Sequence, residues 1–334
     1  MYSAAKLAEL QSKLDQRTAV IGVIGLGYVG LPVACMFAQA GFRVIGLDIQ
    51  AERVAAINAG LNPIEGEEPG LGDLLTEVVA SARLRATTDY AELAQAQVVL
   101  IDVETPVDAE HKPYYAALDS ASRSLGAVMQ AGILVIVEST VAPGTTERVV
   151  RPLLEETSGK QINDGFYLGT CPERVMPGKL LANLRSLSRV CGGSTPETAK
   201  IMVNLYRHIV HADLDTADLV TAELVKTTEN AYRDVQIAFA NQVALICEAA
   251  GGDVWRVREL VNKSPYRQMH LPGAGVGGHC IPKDPWLLAF GAHDQAPIQL
   301  ILAARAINDG MPLHMAALVV QALQQAGLEI KQAR

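Results

Sequence analysis

The chain opens on a helical pattern and then alternates apolar runs with amphipathic ones. "MYSAAKLAELQSKLDQRTAV" spreads Lys, Glu and Asp among its apolar residues and predicts a short leading helix over residues 1–16. "AVIGVIGLGYVGLPVACMFAQAGFRVIGLD" then reads as apolar strand, glycine turn, helix and second strand. Four further runs, "QVVLIDV", "GILVIVEST", "GFYLGTCPE" and "SRVCGG", read as strands, most of them separated by helical segments. Strands alternating with helices predict an α/β fold with a Rossmann-like, doubly wound and mostly parallel sheet, here reaching to about residue 210.

A different pattern follows. From Thr216 to Ala250 neither Pro nor Gly interrupts the chain; Asp215 or Thr216 can cap the start, and Gly251-Gly252 stops it. At 1.5 Å per residue this helix spans roughly 50 Å. Leu219, Leu224, Val225, Tyr232, Val235, Ile237, Phe239, Val243 and Ile246 occupy much of its circumference, so it is expected to be buried by its own domain and by a partner subunit. Glu223, Lys226, Thr227, Asn230, Asp234 and Asn241 form a polar stripe on one face. A stripe of Lys and Glu alone would be a solvated face. The Thr and two Asn, on an otherwise apolar helix, point instead to a cleft into which Lys226 and Asn230 project. Helical segments "DVWRVRELVNKS", "PIQLILAARAIN" and "MPLHMAALVVQALQQAG" follow, the last two expected to be broken apart by Asn308, Gly310 and Pro312. The predicted division is a lead at 1–16, a dinucleotide-binding domain at 17–212, and an all-helical dimerisation domain at 213–330.

Composition narrows the function. The 334 residues are 49% hydrophobic, enough for sizeable cores. A net charge of −8 argues against a general nucleic-acid or anionic-membrane binder, which needs a basic face, and leaves open a local cationic pocket for a phosphate. No apolar run is long enough to cross a bilayer, and the first residues lack the apolar core of a signal peptide. The five cysteines are scattered and odd in number, with no C-x-x-C pair, which argues against a disulfide scaffold or a structural metal site and for reduced thiols in a cytoplasmic protein.

Gly25, Gly27 and Gly30, with Tyr28 and Val29 among them, make G-x-G-x-x-G after a strand and opening a helix. Such a turn lets backbone approach a pyrophosphate at the helix N-terminus. Asp48 ends the next strand eighteen residues after Gly30, placed to bond ribose hydroxyls and repel a 2′-phosphate, so NAD is expected over NADP. Thr105 in "VETP", Thr140 in "ESTVAPGTT" and Glu173 in "CPERVMPG" follow other strands. Each alone is ordinary turn chemistry; three on one sheet edge point to a site. In "GAGVGGHCIPKDP", Cys280 follows Gly275, Gly277 and Gly278, with His279 beside it and Lys283 and Asp284 after it. Cations and free N–H groups around a thiol favour a nucleophile over a core thiol.

A hydride acceptor, a nucleophilic thiol and a Lys/Asn pair suit oxidation to an acid through a thioester. "GLGYVGLP", "ESTVAPGTTE", "CPERVMPG", "ELVKTTENAYRDVQIAFANQ" and "GVGGHCIPKDP" occur in the order found in the UDP-glucose/GDP-mannose dehydrogenase family, which the chain resembles over roughly residues 18–325. The resemblance implies a four-electron oxidation of a UDP-sugar C6 alcohol to the uronic acid. UDP-N-acetylmannosamine is the expected substrate, and UDP-GlcNAc, UDP-glucose or GDP-mannose are alternatives. It implies that Cys280 forms a thiohemiacetal and then a thioester, and that Lys226 and Asn230 hold the C6 oxygen. Asp284, with Thr140, would take the alcohol proton, and Glu173 would act as base around the thioester. Gly25, Gly27, Tyr28, Val29, Gly30, Asp48, Arg53, Thr105, Thr140 and Lys283 would line NAD. Glu173, Arg174, Lys226, Asn230, Gly277, Gly278 and His279 would meet the sugar, and the long helix would form a homodimer. Two positions depart from the family pattern: Pro177 stands where some members carry a second acid, and Glu104 where Pro is usual. The sequence ends after "GLEIKQAR", where the family begins a third, UDP-binding domain. Very weak turnover is expected on that account, and a catalytically silent NAD-binding dimer is the alternative of another class.

Overall fold

The computed structural model describes residues 2–293, 295–328 and 330–332. The chain forms two compact units, one of residues up to 108 with 113–226, the other of 109–112 with residues from 227 onward. Among the described residues no helix is long and apolar enough to cross a membrane.

The first unit is built on strands β1 (Val20–Ile24), β2 (Arg43–Leu47), β3 (Leu84–Thr87), β4 (Val98–Ile101), β5 (Ile133–Val137), β6 (Phe166–Thr170), β7 (Arg189–Gly193) and β8 (Leu214–Asp218). They lie in the order β3-β2-β1-β4-β5-β6-β7-β8, parallel throughout except between β6 and β7. Side chains alternate between two cores: Ile21, Val23, Val98, Leu100, Leu134 and Ile136 on one face, and Ile24, Val99, Ile101, Val135 and Val137 on the other. A sheet covered on both faces needs apolar residues at every position, hence the unbroken runs. The leading helix, Tyr2–Asp15, adds Leu10 and Leu14 to the first of these cores.

Strands β3 and β8 were absent from the sequence reading, and β8 changes the start of the long helix. Asp215 and Thr216, expected as its caps, pair instead with Val190 and Cys191. The helix runs Leu219–Ala250. Its start is capped by Asp218, which accepts from Thr221 N at 2.9 Å and Thr221 Oγ1 at 2.7 Å. β7 thereby gains a partner on its outer edge, which outweighs three residues of helix.

The long helix continues into the second unit, which also holds the helices Val254–Val261, Cys280–Phe290 and Gln299–Gln325. Asp253 caps the first of these through Trp255 N at 2.9 Å. Gly310 and Pro312 do not break the last helix as expected. Arg305 Nη1 donates to Asp234 Oδ1 at 2.6 Å, Asn308 Nδ2 donates to the same oxygen at 2.8 Å, and Asn241 Nδ2 donates to Asn308 Oδ1 at 2.9 Å. All four side chains are buried. This polar ladder holds the last helix against the long one through the proline, whose ring costs one backbone bond.

The polar stripe therefore faces inward, with Glu223, Lys226, Thr227, Asp234 and Asn241 buried and Asn230 half-buried. The large apolar residues face outward: Tyr232 is 63% exposed, Phe239 61% and Ile246 56%.

Candidate active site

In the first unit, β1 delivers the chain to Gly25, whose φ of +92° favours glycine. A Cβ there would lie 2.5 Å from the Asp102 carbonyl oxygen, and one on Gly30 would lie 1.9 Å from that of Gly25. These two glycines permit the turn and its packing. A Cβ on Gly27 would meet open space, so that backbone is free to be approached by a ligand. The turn borders a cavity of about 380 Å³ whose lining includes Gly25, Gly27, Asp48, Arg53, Tyr90 and Asp102. Asp48, at the end of β2, is only 4% exposed. Its carboxylate accepts from Leu26 N, Gln50 N and Arg53 Nη1, each at 2.9 Å. It braces the glycine turn and presents a fixed negative charge to the cavity. Tyr28 donates through its hydroxyl to Glu68, and Val29 leads into the helix Gly30–Gln39 without a side-chain cap. An open glycine turn at a helix start, with a carboxylate at the next strand end, fits a dinucleotide.

Thr105, Thr140 and Glu173 follow β4, β5 and β6, three neighbouring strands. Thr105 Oγ1 donates to the Thr140 carbonyl at 2.6 Å. Glu173 is half-buried and accepts from Val175 N. Arg174 Nη1 donates to the carbonyl and hydroxyl of Ser188, both at 2.8 Å.

Behind this edge lies a charged network absent from the sequence reading. Glu138, directly after β5, is buried and accepts from Arg189 Nη1 at 2.8 Å and Tyr206 Oη at 2.6 Å. Asp102 holds the same place after β4. Its Oδ2 and Glu138 Oε2 are both buried with no donor. Burial, then the neighbouring Glu138, push the Asp102 carboxyl well above its ordinary 3.8, against the pull of Arg189. A raised carboxyl at Asp102 favours its protonated form, which keeps a second negative charge away from Glu138. The signal was present: each acid directly follows an apolar run, "VVLI" and "ILVIV". Beside Arg189, Cys171 and Cys191 bring their sulfurs within 4.0 Å, both buried.

In the second unit, Cys280 lies in no loop; it is the first residue of the helix Cys280–Phe290, following His279. It is exposed, as are Gly277, Gly278 and His279. The first N–H groups of a helix lack helical partners and attract negative charge. The approach is fixed from below. Gly273 N donates to Asn241 Oδ1 at 2.8 Å, and Gly275, with φ +93°, packs where a Cβ would lie 2.3 Å from the Asn308 carbonyl oxygen. That carbonyl faces Pro312 one turn on, which has no N–H to return to it. Asn308, read from sequence as a helix breaker, is a support of the thiol segment. Asp284 is buried, accepts from Asn230 Nδ2 at 2.6 Å, and lies 3.6 Å from Lys283 Nζ. The structure thus joins Asn230, Lys283 and Asp284 in the second unit. It places Lys226, Thr140 and Glu173 in the first.

Comparison with known proteins adds to this geometry. Residues 19–210 match the NAD binding domain of the UDP-glucose/GDP-mannose dehydrogenase family, and residues 220–310 match its central domain. UDP-N-acetyl-D-mannosamine dehydrogenase of Pyrococcus horikoshii is 42% identical over 313 residues, covering 94% of this chain and 73% of that protein. The solved structure of UDP-D-ManNAc dehydrogenase from that organism superposes with a TM-score of 0.87 at 41% identity, covering 92% of this chain and 72% of that one. NDP-N-acetyl-D-galactosaminuronic acid dehydrogenase of Methanosarcina mazei Go1 gives 0.84 at 36% identity, covering 97% and 72%.

Proposed function

Because the chain belongs to the UDP-glucose/GDP-mannose dehydrogenase family, we propose that it oxidises the C6 alcohol of UDP-N-acetylmannosamine to the carboxylate. It is a nucleotide-sugar dehydrogenase with an NAD-binding domain; the sugar and the residue roles are the proposal. The observation that carries it is an exposed thiol at the start of a helix, four residues before a buried carboxylate held by Asn230.

Asp48 and Arg53, with the turn Gly25–Gly30, hold the dinucleotide, and Thr105, Thr140 and Lys283 complete its surroundings. When bound, NAD would supply the hydride acceptor, one molecule for the first oxidation and a second, after exchange, for the other. Asp284, with Thr140, takes the proton of the C6 hydroxyl as that carbon becomes an aldehyde. The Cys280 thiolate adds to the aldehyde carbon, forming a C–S bond and an alkoxide. Lys226 and Asn230 donate to that oxygen as it gains charge. Loss of the second hydride leaves a thioester. Glu173 takes a proton from the attacking water; the C–S bond breaks, releasing the carboxylate and restoring the thiolate. Arg174, Gly277, Gly278 and His279 are assigned to holding the sugar.

The outward apolar face of the long helix supports a homodimer. Tyr232, Phe239 and Ile246 recur every seven residues, and a two-fold partner would cover the same face on both chains.

Incubation with NAD and a panel of nucleotide sugars, with products read by mass spectrometry, tests the reading. UDP-N-acetylmannosamine should gain one oxygen and lose two hydrogens. Selective oxidation of another sugar would replace the substrate, and an aldehyde as end product would remove the thioester route.

A further inference from the structure

Glu68 lies in "EGEEPG", a stretch the catalytic reading leaves without a role. Its half-buried carboxylate gathers donors from two other segments. Oε1 accepts from the Tyr28 hydroxyl and from Gly178 N at 2.7 Å; Oε2 accepts from Leu180 N at 3.0 Å. Tyr28 belongs to the glycine turn, between Gly27 and Gly30. Gly178 and Leu180 end the loop that begins with Glu173 and Arg174. That loop is tied at its start by Val175 N to the Glu173 carboxylate, and in its middle by Met176 N to Asn183 Oδ1 at 2.9 Å. The tie at its far end is the one that reaches the glycine turn.

We propose that Glu68 is a positioning residue, through which ordering of the glycine turn by bound dinucleotide is passed to the loop that carries Glu173. A ligand that fixes the backbone around Gly27 restricts Tyr28. A restricted Tyr28 holds the Glu68 carboxylate, and that carboxylate holds Gly178 and Leu180. Two segments that each lose freedom on ordering lose less together when one carboxylate orders both, which is the general basis of coupling between sites. The protonation states keep the link intact at neutral pH. Burial and the Glu68 charge push the Tyr28 hydroxyl up to about 12, so it stays a donor. Burial works to raise the Glu68 carboxyl, but Tyr28 and the two N–H groups outweigh it and hold it lowered, so it stays an acceptor. The significance for catalysis rests on the role proposed for Glu173; the coupling itself does not.

Amide hydrogen exchange at Gly178 and Leu180, with and without saturating NAD, separates the two. In the unaltered protein NAD should slow exchange at both amides about fivefold or more, the lower end of ordinary coupling. Tyr28→Phe keeps the ring and both bonds from Gly178 and Leu180 to Glu68 but removes the tie to the turn. Each protein is compared at NAD concentrations that titration shows to saturate it, so that a change in affinity does not enter, and Tyr28→Phe should show no such slowing. Glu68→Ala should exchange fast at both amides whether or not NAD is bound. Slowing that survives in Tyr28→Phe, or its absence in the unaltered protein, overturns the proposal. Steady-state kinetics on Glu68→Ala then addresses Glu173: kcat should fall with NAD affinity little changed. An unchanged kcat alongside the expected exchange pattern would remove the base role of Glu173 and leave the coupling standing.

Discussion

Cys280 is the exposed one of the five cysteines, the other four being buried. Cys280→Ala should bring acid formation below detection while NAD titrates normally. Two-step oxidation by that variant would remove the thiol from the mechanism. At the cofactor end, Asp48 should make NADP bind at least about fivefold more weakly than NAD, since like charges near contact cost about 1 kcal/mol even in bulk water. Asp48→Ala also frees Arg53, now paired at 2.9 Å, to face a 2′-phosphate, and should narrow that ratio; comparative titration reads it. Asp102 gives a pH dependence. Its folded-state carboxyl is raised, so the folded chain keeps a proton that the unfolded chain releases near 3.8. Stability is then full below that value and falls as pH rises through the raised one. Asp102→Asn remains neutral and still has a donor for Glu138, so its melting temperature should fall less from about pH 4 upward. Parallel pH profiles would mean that the Asp102 carboxyl is not raised in the folded chain.

At the scale of elements, six strands and the glycine turn were legible because a sheet buried on both faces leaves continuous apolar runs. β3 was not: its "LRAT" alternates an exposed Arg85 among buried residues in four positions, too few to show a period. β8 reads "LDTAD", polar enough to pass for a helix cap, and only its place beside β7 makes it a strand. Gly310 and Pro312 misled for a related reason. Propensity is local, whereas the bonds among Asp234, Asn241, Arg305 and Asn308 join residues that lie far apart in sequence. Motif spacing singles out the residues proposed for the chemistry; the residues that brace their segments, Asn308 and Glu68, carry no such signal in the sequence. Gly275→Ala tests one support. With φ at +93° and the Asn308 carbonyl in the way, it should cost about 1–3 kcal/mol in the melt and lower turnover, though it touches no reacting atom.

For the whole molecule, sedimentation at micromolar concentration should find a dimer, and replacing Tyr232 and Phe239 together by Glu should give monomers. A dimer that persists in that variant would place the interface elsewhere. The long helix has another consequence. The division between the two units falls between Lys226 and Thr227, inside the helix Leu219–Ala250, at two consecutive buried residues. A protease meets no exposed linker there. A gene fragment stopped at Lys226 would end after about two turns of helix, without Asp234 and Asn241, which bond to the last helix. Recombination cannot trade one unit for a foreign one at that point without cutting a helix in half. The two units differ as packing, yet one unbroken helix belongs to both.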